Sequence, residues 1–379
     1  MEFTRMTDFL NTLPAKGIPG VDCIIKKGHE TIYRYHTGLA DREQGIPMVG
    51  NELFNLYSAT KPITCTAIMQ LYEQGKILLH DPVANYIPEF KDMKVLQRQP
   101  NSETVVVPAQ KPMTIMHLLT MTSGLDYDLD TAEIRKVVQD TDGRAPTMDV
   151  IKALAAKPLC FQPGEHWQYS LSHDVLGAVV EAVSGMKFGD YLQKYIFEPC
   201  GMTDTSFTLS KENEGRMMAQ YTRNTETGEV TRTQNKTRYA LGTEYQSGGA
   251  GLISSVEDYS KFVAAMSNGG YTHTGKRILS QNTIDLMRAN HLNEQQWKDF
   301  NWAHYKGYGY GLGVRTHVTY SNSDANSPIG EFGWAGAAGC FLIIDPKNKV
   351  SLFYTQHMLN SMESYVHPRL RSILYSCLE

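Results

Sequence analysis

The sequence predicts an α+β fold in which an antiparallel sheet, built from both ends of the chain, carries helices on its faces and a mostly helical segment is inserted between its halves. Two patterns point to this. Residues near the start and near the end alternate apolar and polar side chains with the period of two that marks a half-buried strand, and the long stretch between them carries apolar residues at helical spacing, broken by Gly and Pro. Size agrees: 379 residues exceed one ordinary core and fall short of three, so the chain forms one large unit or two interleaved ones.

Taken in order, residues 7–13 have the pattern of a short amphipathic helix. Val21-Asp22-Cys23-Ile24-Ile25 and Thr31-Ile32-Tyr33-Arg34-Tyr35 flank a tight turn at Lys27-Gly28 and read as a hairpin. Phe54-Asn55-Leu56-Tyr57 is a short strand-like run. Helices are expected over 60–75, 114–122, 132–140, 148–156, 173–184, 188–196, 256–267 and 280–290. Gly307-Tyr308-Gly309-Tyr310-Gly311-Leu312-Gly313 reads as a twisted strand that another backbone approaches closely. Residues 292–305 and 317–330 read as surface loops. A second hairpin, Cys340–Ile344 with Val350–Tyr354, surrounds the turn cluster Asp345–Lys349, and a last helix covers 360–377. The expected division is a sheet domain from 1–61 with 241–379 and a mostly helical subdomain over 62–240.

Hydrophobic residues make up 41% of the chain, enough for a sizeable core, and the net charge of −4 gives no basic stripe of the kind nucleic-acid binders carry. Apolar runs stay well short of the ~20 residues a membrane span needs. The first residues show no apolar signal region, which points to the cytoplasm or to a leader already removed. The six cysteines form no CxxC pair and read as reduced core residues rather than disulfides or a zinc site. HExxH, Walker and GxGxxG patterns are absent, so no metal and no organic cofactor is expected, and the absence of GxSxG removes the nucleophile elbow of the α/β-hydrolases.

What remains is Ser-x-x-Lys. On a helix, residues i and i+3 share a face, so an amine can reach a hydroxyl, and a lysine shielded from water loses basicity and can take a proton near neutral pH. The pair occurs twice, as Ser58-Ala59-Thr60-Lys61 and as Ser184-Gly185-Met186-Lys187. The second copy follows an apolar helix that Gly185 ends, which leaves Ser184 at the wrong pole. Ser58 instead precedes Pro62, a residue tolerated near a helix start, and lies at a strand-to-helix junction where the helix dipole favours negative charge. Read from the pair alone, Ser58 is equally well a plain helix cap beside a surface lysine.

The surroundings of Ser58 resolve this. Phe54–Lys61, Gly75-Lys76-Ile77-Leu78-Leu79-His80-Asp81-Pro82-Val83, Thr114–Leu125, Phe161-Gln162-Pro163-Gly164 and Gly248-Gly249-Ala250-Gly251-Leu252 together resemble the serine β-lactamase and penicillin-recognising superfamily in its class C branch, over nearly the whole chain. The resemblance implies the β-lactamase/DD-peptidase fold with Ser58 as nucleophile, Lys61 as its activator and Tyr169 as proton partner. Tyr169-Ser170-Leu171 matches the family's Tyr-x-Asn with Leu171 at the asparagine, which removes an amide ligand. Phe332-Gly333-Trp334-Ala335-Gly336-Ala337 matches the Lys-Thr-Gly strand with Trp334 at the lysine, which removes the cation that would hold a substrate carboxylate. Both departures are similar to family VIII carboxylesterases. The resemblance places the oxyanion between the N–H groups of Ser58 and Ala337, with Trp334, Gly336 and Leu171 beside the substrate.

The Tyr169 phenol is expected to ionise more readily, because it would sit next to the Lys61 ammonium. His166, His173 and Asp174 suggest a Ser-His-Asp set by residue type, and the resemblance gives them no catalytic role. His80-Asp81 reads as a turn and cap pair. The expected partner is therefore a small-molecule ester. A lactam or D-alanyl peptide is the alternative within the same chemistry, and a non-catalytic binding module the alternative outside it.

Overall fold

The N-terminal hairpin is longer than its alternation suggested. β1 (Gly20–Lys27) and β2 (Glu30–Asp41) pair antiparallel with Ile24 opposite Arg34, and Gly28, at φ 60°, takes the left-handed turn position that glycine adopts without penalty. The other edge of β1 pairs with Val350–Thr355, Ile24 facing Phe353. The two ends of the chain therefore share one sheet. The computed structural model, which describes residues 2–99, 103–234 and 239–378, completes that sheet with eight antiparallel strands. Their order is Tyr308–Tyr310, Arg315–His317, Phe332–Gly333, Phe341–Asp345, Val350–Thr355, β1, β2 and β3 (Ile46–Pro47).

Alternation along the central strands sends side chains to two different cores. Val21, Cys23, Ile25, Phe341, Ile343, Leu352 and Tyr354 are buried beneath α1 (Thr4–Thr12) and the C-terminal helix Glu363–Cys377, where Met6, Leu10, Leu370 and Leu374 meet them. Ile24, Leu342, Ile344 and Phe353 face the helix Val256–Ser267 and, beyond it, the helices between 60 and 200. Each such aliphatic or aromatic side chain contributes ~1.5–3 kcal/mol on full burial. The helices 132–140 and 256–267 lie where periodicity put them. Helix 188–196 does not run through as one helix: Phe188–Leu192 passes into a π turn at Gln193–Phe197.

Three segments differ from the sequence reading. Lys94–Arg98 pairs with Thr104–Pro108, and Gln220–Arg223 with Val230–Thr233, so the middle of the chain holds two hairpins among its helices. The second of these is extended in parallel by Met358–Leu359, Met358 opposite Tyr221. Residues 292–305 are not a surface loop. Glu294–Asp299 is a helix opened by a reciprocal Asn293–Gln296 capping box, and Phe300 and Tyr305 are each 3% exposed. Periodicity missed them because their partners are aromatic rings from distant segments. Within 317–330, Tyr320–Asn322 are exposed as expected, but His317 and Ser327 are fully buried.

All six cysteines are free thiols. Among the described residues no helix is long and apolar enough to cross a membrane. Asp81 acts as a local cap, accepting from the Leu78 N–H and the Tyr86 hydroxyl, both at 2.6 Å.

One charged group is sealed inside the sheet edge. Glu331 and Arg315 have no exposed surface and Arg371 is 2% exposed. Arg315 Nη1 donates to Glu331 Oε1 at 2.8 Å, Tyr308 donates to Oε2 at 2.7 Å, and Arg371 Nε lies 3.6 Å from Oε2. The carboxylate thus ties three short strands to the C-terminal helix. Removing one partner of such a set leaves uncompensated buried charge. Glu331→Ala is therefore expected to destabilise the protein by about 3–5 kcal/mol in urea unfolding, and a loss below about 1 kcal/mol, the range of an exposed pair, would contradict this account.

Candidate active site

The local chain path presents Ser58. Leu53–Asn55 pairs with Ile253–Ser255, a single 3-10 turn covers Tyr57–Ala59, and α2 (Thr60–Glu73) follows directly. Pro62 sits in the first turn of α2, where its missing N–H has no carbonyl to meet. Tyr57 is held at φ 48°, an uncommon conformation for a residue with a side chain, and its hydroxyl donates to Gln220 Oε1 at 2.8 Å. From 52 to 71 every residue is buried except Ser58. The serine is the one point where this segment meets the surface.

Lys61 lies a turn deeper with no exposed surface. Its ammonium has three protons to place, and three acceptors take them: Ser58 Oγ at 3.2 Å, the Tyr127 hydroxyl at 3.1 Å and the Gly249 carbonyl at 2.8 Å. Gly249 is required for that third contact. A Cβ there would stand 2.5 Å from Asp174 Oδ2. Burial pulls the Lys61 amine down to about 8, with the negative charge of Asp174 opposing the shift. Asp174 is itself raised by burial, and its Oδ1 accepts from Tyr245 and Ser247 at 2.9 and 2.6 Å.

The Tyr169 hydroxyl donates to Ser58 Oγ at 2.5 Å and accepts from Trp334 Nε1 at 3.4 Å. Its ring is clamped between Tyr127, stacked at 5.3 Å and 10°, and Trp334, stacked at 5.9 Å and 20°, with Trp302 at 5.6 Å. The Lys61 amine lies 4.5 Å from the ring centroid. The expected ease of ionisation does not follow. Burial raises the Tyr169 phenol above its ordinary value, outweighing its hydrogen bonds with Ser58 and the indole. Lys61 is thus the group suited to accept a proton near neutrality, and Tyr169 is suited to relay one as a neutral hydroxyl.

The 332–338 segment reaches the serine through a glycine. A Cβ on Gly336 would stand 2.2 Å from the Leu56 carbonyl oxygen, so only glycine lets this strand lie against the backbone that leads into Ser58. Ala337 follows, exposed while Phe332–Gly336 and Ala338 are buried. It lines a cavity of about 1040 Å³ together with Tyr57, Gln220, Tyr239, Glu363 and Tyr365.

Two residues expected beside the substrate are enclosed by the protein. Leu171 has no exposed surface and packs in the core at the start of the helix Ser172–Ser184. Trp334 is 2% exposed, and its indole is committed to Tyr169. The second Ser-x-x-Lys is not a site. Ser184 donates to the Val180 carbonyl at 2.6 Å, Gly185 ends the helix at φ 68°, and Lys187 points to Glu244 at 3.9 Å. His173 is fully buried and held neutral by desolvation, while His166 pairs with Asp299 at 3.0 Å, so no Ser-His-Asp relay forms around Ser58. The residues missed were Tyr127, Trp302 and Glu363. Tyr127 lies two residues beyond the Thr114–Leu125 motif, and no period links it to a lysine 66 positions earlier.

Residues 6–374 match the model of the family described as Beta-lactamase. The esterase EstB of Burkholderia gladioli is 30% identical over 97% of this chain and 93% of its own length. Among solved structures, EstCE1, described as a hydrolase with promiscuous acyltransferase activity, superposes with a TM-score of 0.79 at 25% identity, covering 98% of both chains. Simvastatin synthase LovD from Aspergillus terreus shares the fold, with a TM-score of 0.83 at 21% identity over 100% of this chain and 99% of that one.

The environment of Lys61 sets its titration. With the lysines isotopically labelled, its amine resonance is expected to titrate near pH 8. Asp174→Asn removes a charge that favours the ammonium and lowers that midpoint further. A midpoint in the ordinary range of exposed lysines, or one that rises in the variant, would contradict the assignment.

Proposed function

The chain belongs to the beta-lactamase family, and from that premise we propose that it is a serine hydrolase that cleaves small neutral carboxylic esters through an acyl-enzyme on Ser58. The observation that carries this reading is the partly exposed Ser58 hydroxyl within 3.2 Å of a lysine whose basicity burial has reduced and 2.5 Å from the Tyr169 hydroxyl. The esterase EstB of Burkholderia gladioli, alike over almost its full length, supports the ester as substrate class.

The neutral Lys61 amine accepts the Ser58 proton as Oγ bonds to the ester carbonyl carbon. The carbonyl oxygen takes the displaced electron pair and is held by the N–H groups of Ser58 and Ala337, aimed at where that charge develops. The proton on Lys61 then passes through the Tyr169 hydroxyl to the leaving alkoxide as the C–O bond breaks. Water attacks the acyl-enzyme by the same route in reverse, releasing the acid and restoring Ser58. Trp334 serves this relay indirectly, since its N–H holds the oxygen of Tyr169. It offers no charge to a substrate carboxylate, which is the physical reason a lactam is the second choice.

Ser58→Ala is expected to lower p-nitrophenyl butyrate turnover by about 10³-fold or more with the circular dichroism unchanged; a variant as active as the parent would sink the reading. Turnover of that ester should exceed that of a chromogenic cephalosporin, and the reverse order would favour a lactamase. The pH profile follows from Lys61. Its base form is scarce below about 8 and dominant above it, so kcat/KM should climb through pH 7–8 and level off beyond. A profile flat from pH 6 to 9 would exclude Lys61 as the acceptor.

A further inference from the structure

The cavity beside Ala337 carries a charge that the ester reading leaves unused. Met362, at φ 55°, turns the chain so that Glu363 opens the C-terminal helix. Its side chain, 43% exposed, lines the cavity with Tyr57 and Ala337. Among the described residues, little neutralises Glu363. The imidazole of His304 lies 4.0 Å away, and burial together with the charges of Arg315 and Arg371 lowers that imidazole to about 4, so it is uncharged at neutral pH. Arg315 and Arg371 themselves share Glu331. Among the described residues, Arg223 is the other charged one on the cavity wall. The field of Glu363 reaches the relay hydroxyl, since the Tyr169 phenol, raised chiefly by burial, is raised further by this charge.

We propose that Glu363 is a specificity-determining residue that excludes substrates carrying a carboxylate near the scissile carbonyl and leaves neutral and cationic esters free to enter. The inference rests on the ester reading above, because it concerns which esters reach Ser58. The physical reason is like-charge repulsion in a cavity whose protein walls screen poorly. Two carboxylates a few ångströms apart repel more strongly there than in bulk water; neither Trp334 nor a charged histidine offers the incoming anion a partner, and the Arg223 guanidinium lies back against Gly228 at the turn of its own hairpin. Neutralising the glutamate should therefore help anionic substrates selectively, whereas a merely structural loss would slow all substrates together.

The test uses two esters of matched length, p-nitrophenyl butyrate and mono-p-nitrophenyl succinate, at pH 8. The parent enzyme is expected to prefer the butyrate. In Glu363→Gln the ratio of kcat/KM for succinate over butyrate should rise about tenfold, as expected for loss of one repulsive charge at close range. Glu363→Asp should retain the parent ratio. Raising the salt to 1 M should narrow the gap between the two esters in the parent and not in Glu363→Gln, because salt screens exposed charge. A ratio unchanged in Glu363→Gln, or one that moves equally in Glu363→Asp, overturns the proposal. The ester reading fails separately and visibly, by the parent enzyme showing no Ser58-dependent turnover of the butyrate.

Discussion

The site depends on the burial of one amine. Lys61 lies under Ser58 with no contact with solvent, and that desolvation is what brings its basicity down to about 8. A buried ammonium is tolerable only when its protons are all placed, and here each has an acceptor on a different segment: the serine one turn back, Tyr127 and the Gly249 carbonyl. The glycine-rich 248–251 stretch, the helix Ser172–Ser184 with Asp174, and the Tyr127 segment are all drawn to α2 by this demand. Coulomb attraction from Asp174 and desolvation act on the amine in opposite directions, and desolvation wins.

Around this amine the aromatic rings serve as a rigid mount rather than as a substrate surface. Tyr169 is stacked on one side by Tyr127 and on the other by Trp334, with Trp302 closing the cluster. A phenol so placed has little freedom to leave the serine. The tryptophan at the third motif thereby acquires a role quite unlike that of a lysine: it hydrogen-bonds the relay oxygen instead of a substrate anion. The same replacement that takes away affinity for carboxylates therefore strengthens the positioning of Tyr169. Glu363 lies on the cavity wall with Ala337, and Trp334 brings no cation to balance it.

Much of this architecture was legible in the amino-acid sequence. Strand-like runs at both chain ends revealed a shared sheet, although the central strands, expected to be half-buried, proved buried on both faces, between two cores. Helix polarity distinguished Ser58 from Ser184, since a nucleophile gains from an N-terminal dipole and a glycine such as Gly185 marks the other pole. The resemblance drew Tyr169, Trp334 and Ala337 into one expected site. What local pattern cannot express is contact between distant segments. The aromatic segment 300–305 resembled a loop because its partners, Trp167, Tyr169 and Trp334, lie at no fixed spacing from it.

Tertiary structure alone decided three matters. It decided the direction of the Tyr169 shift, because the competition between a neighbouring amine and burial depends on how much water remains, which no spacing records. It decided that Leu171 and Trp334 are enclosed rather than offered to a substrate, because exposure is a property of the assembled surface. And it placed Tyr127 against Lys61 and Glu363 on the cavity wall, since each meets the site only after the chain ends have closed into one sheet. The sequence by itself determined the sheet from both termini and the helical interior, which rest on periodicity, and its helix chemistry with the family resemblance singled out Ser58 over Ser184 as the candidate nucleophile. Electrostatic tuning and substrate access belong to the folded molecule, because both are set by distance and desolvation between groups far apart along the chain.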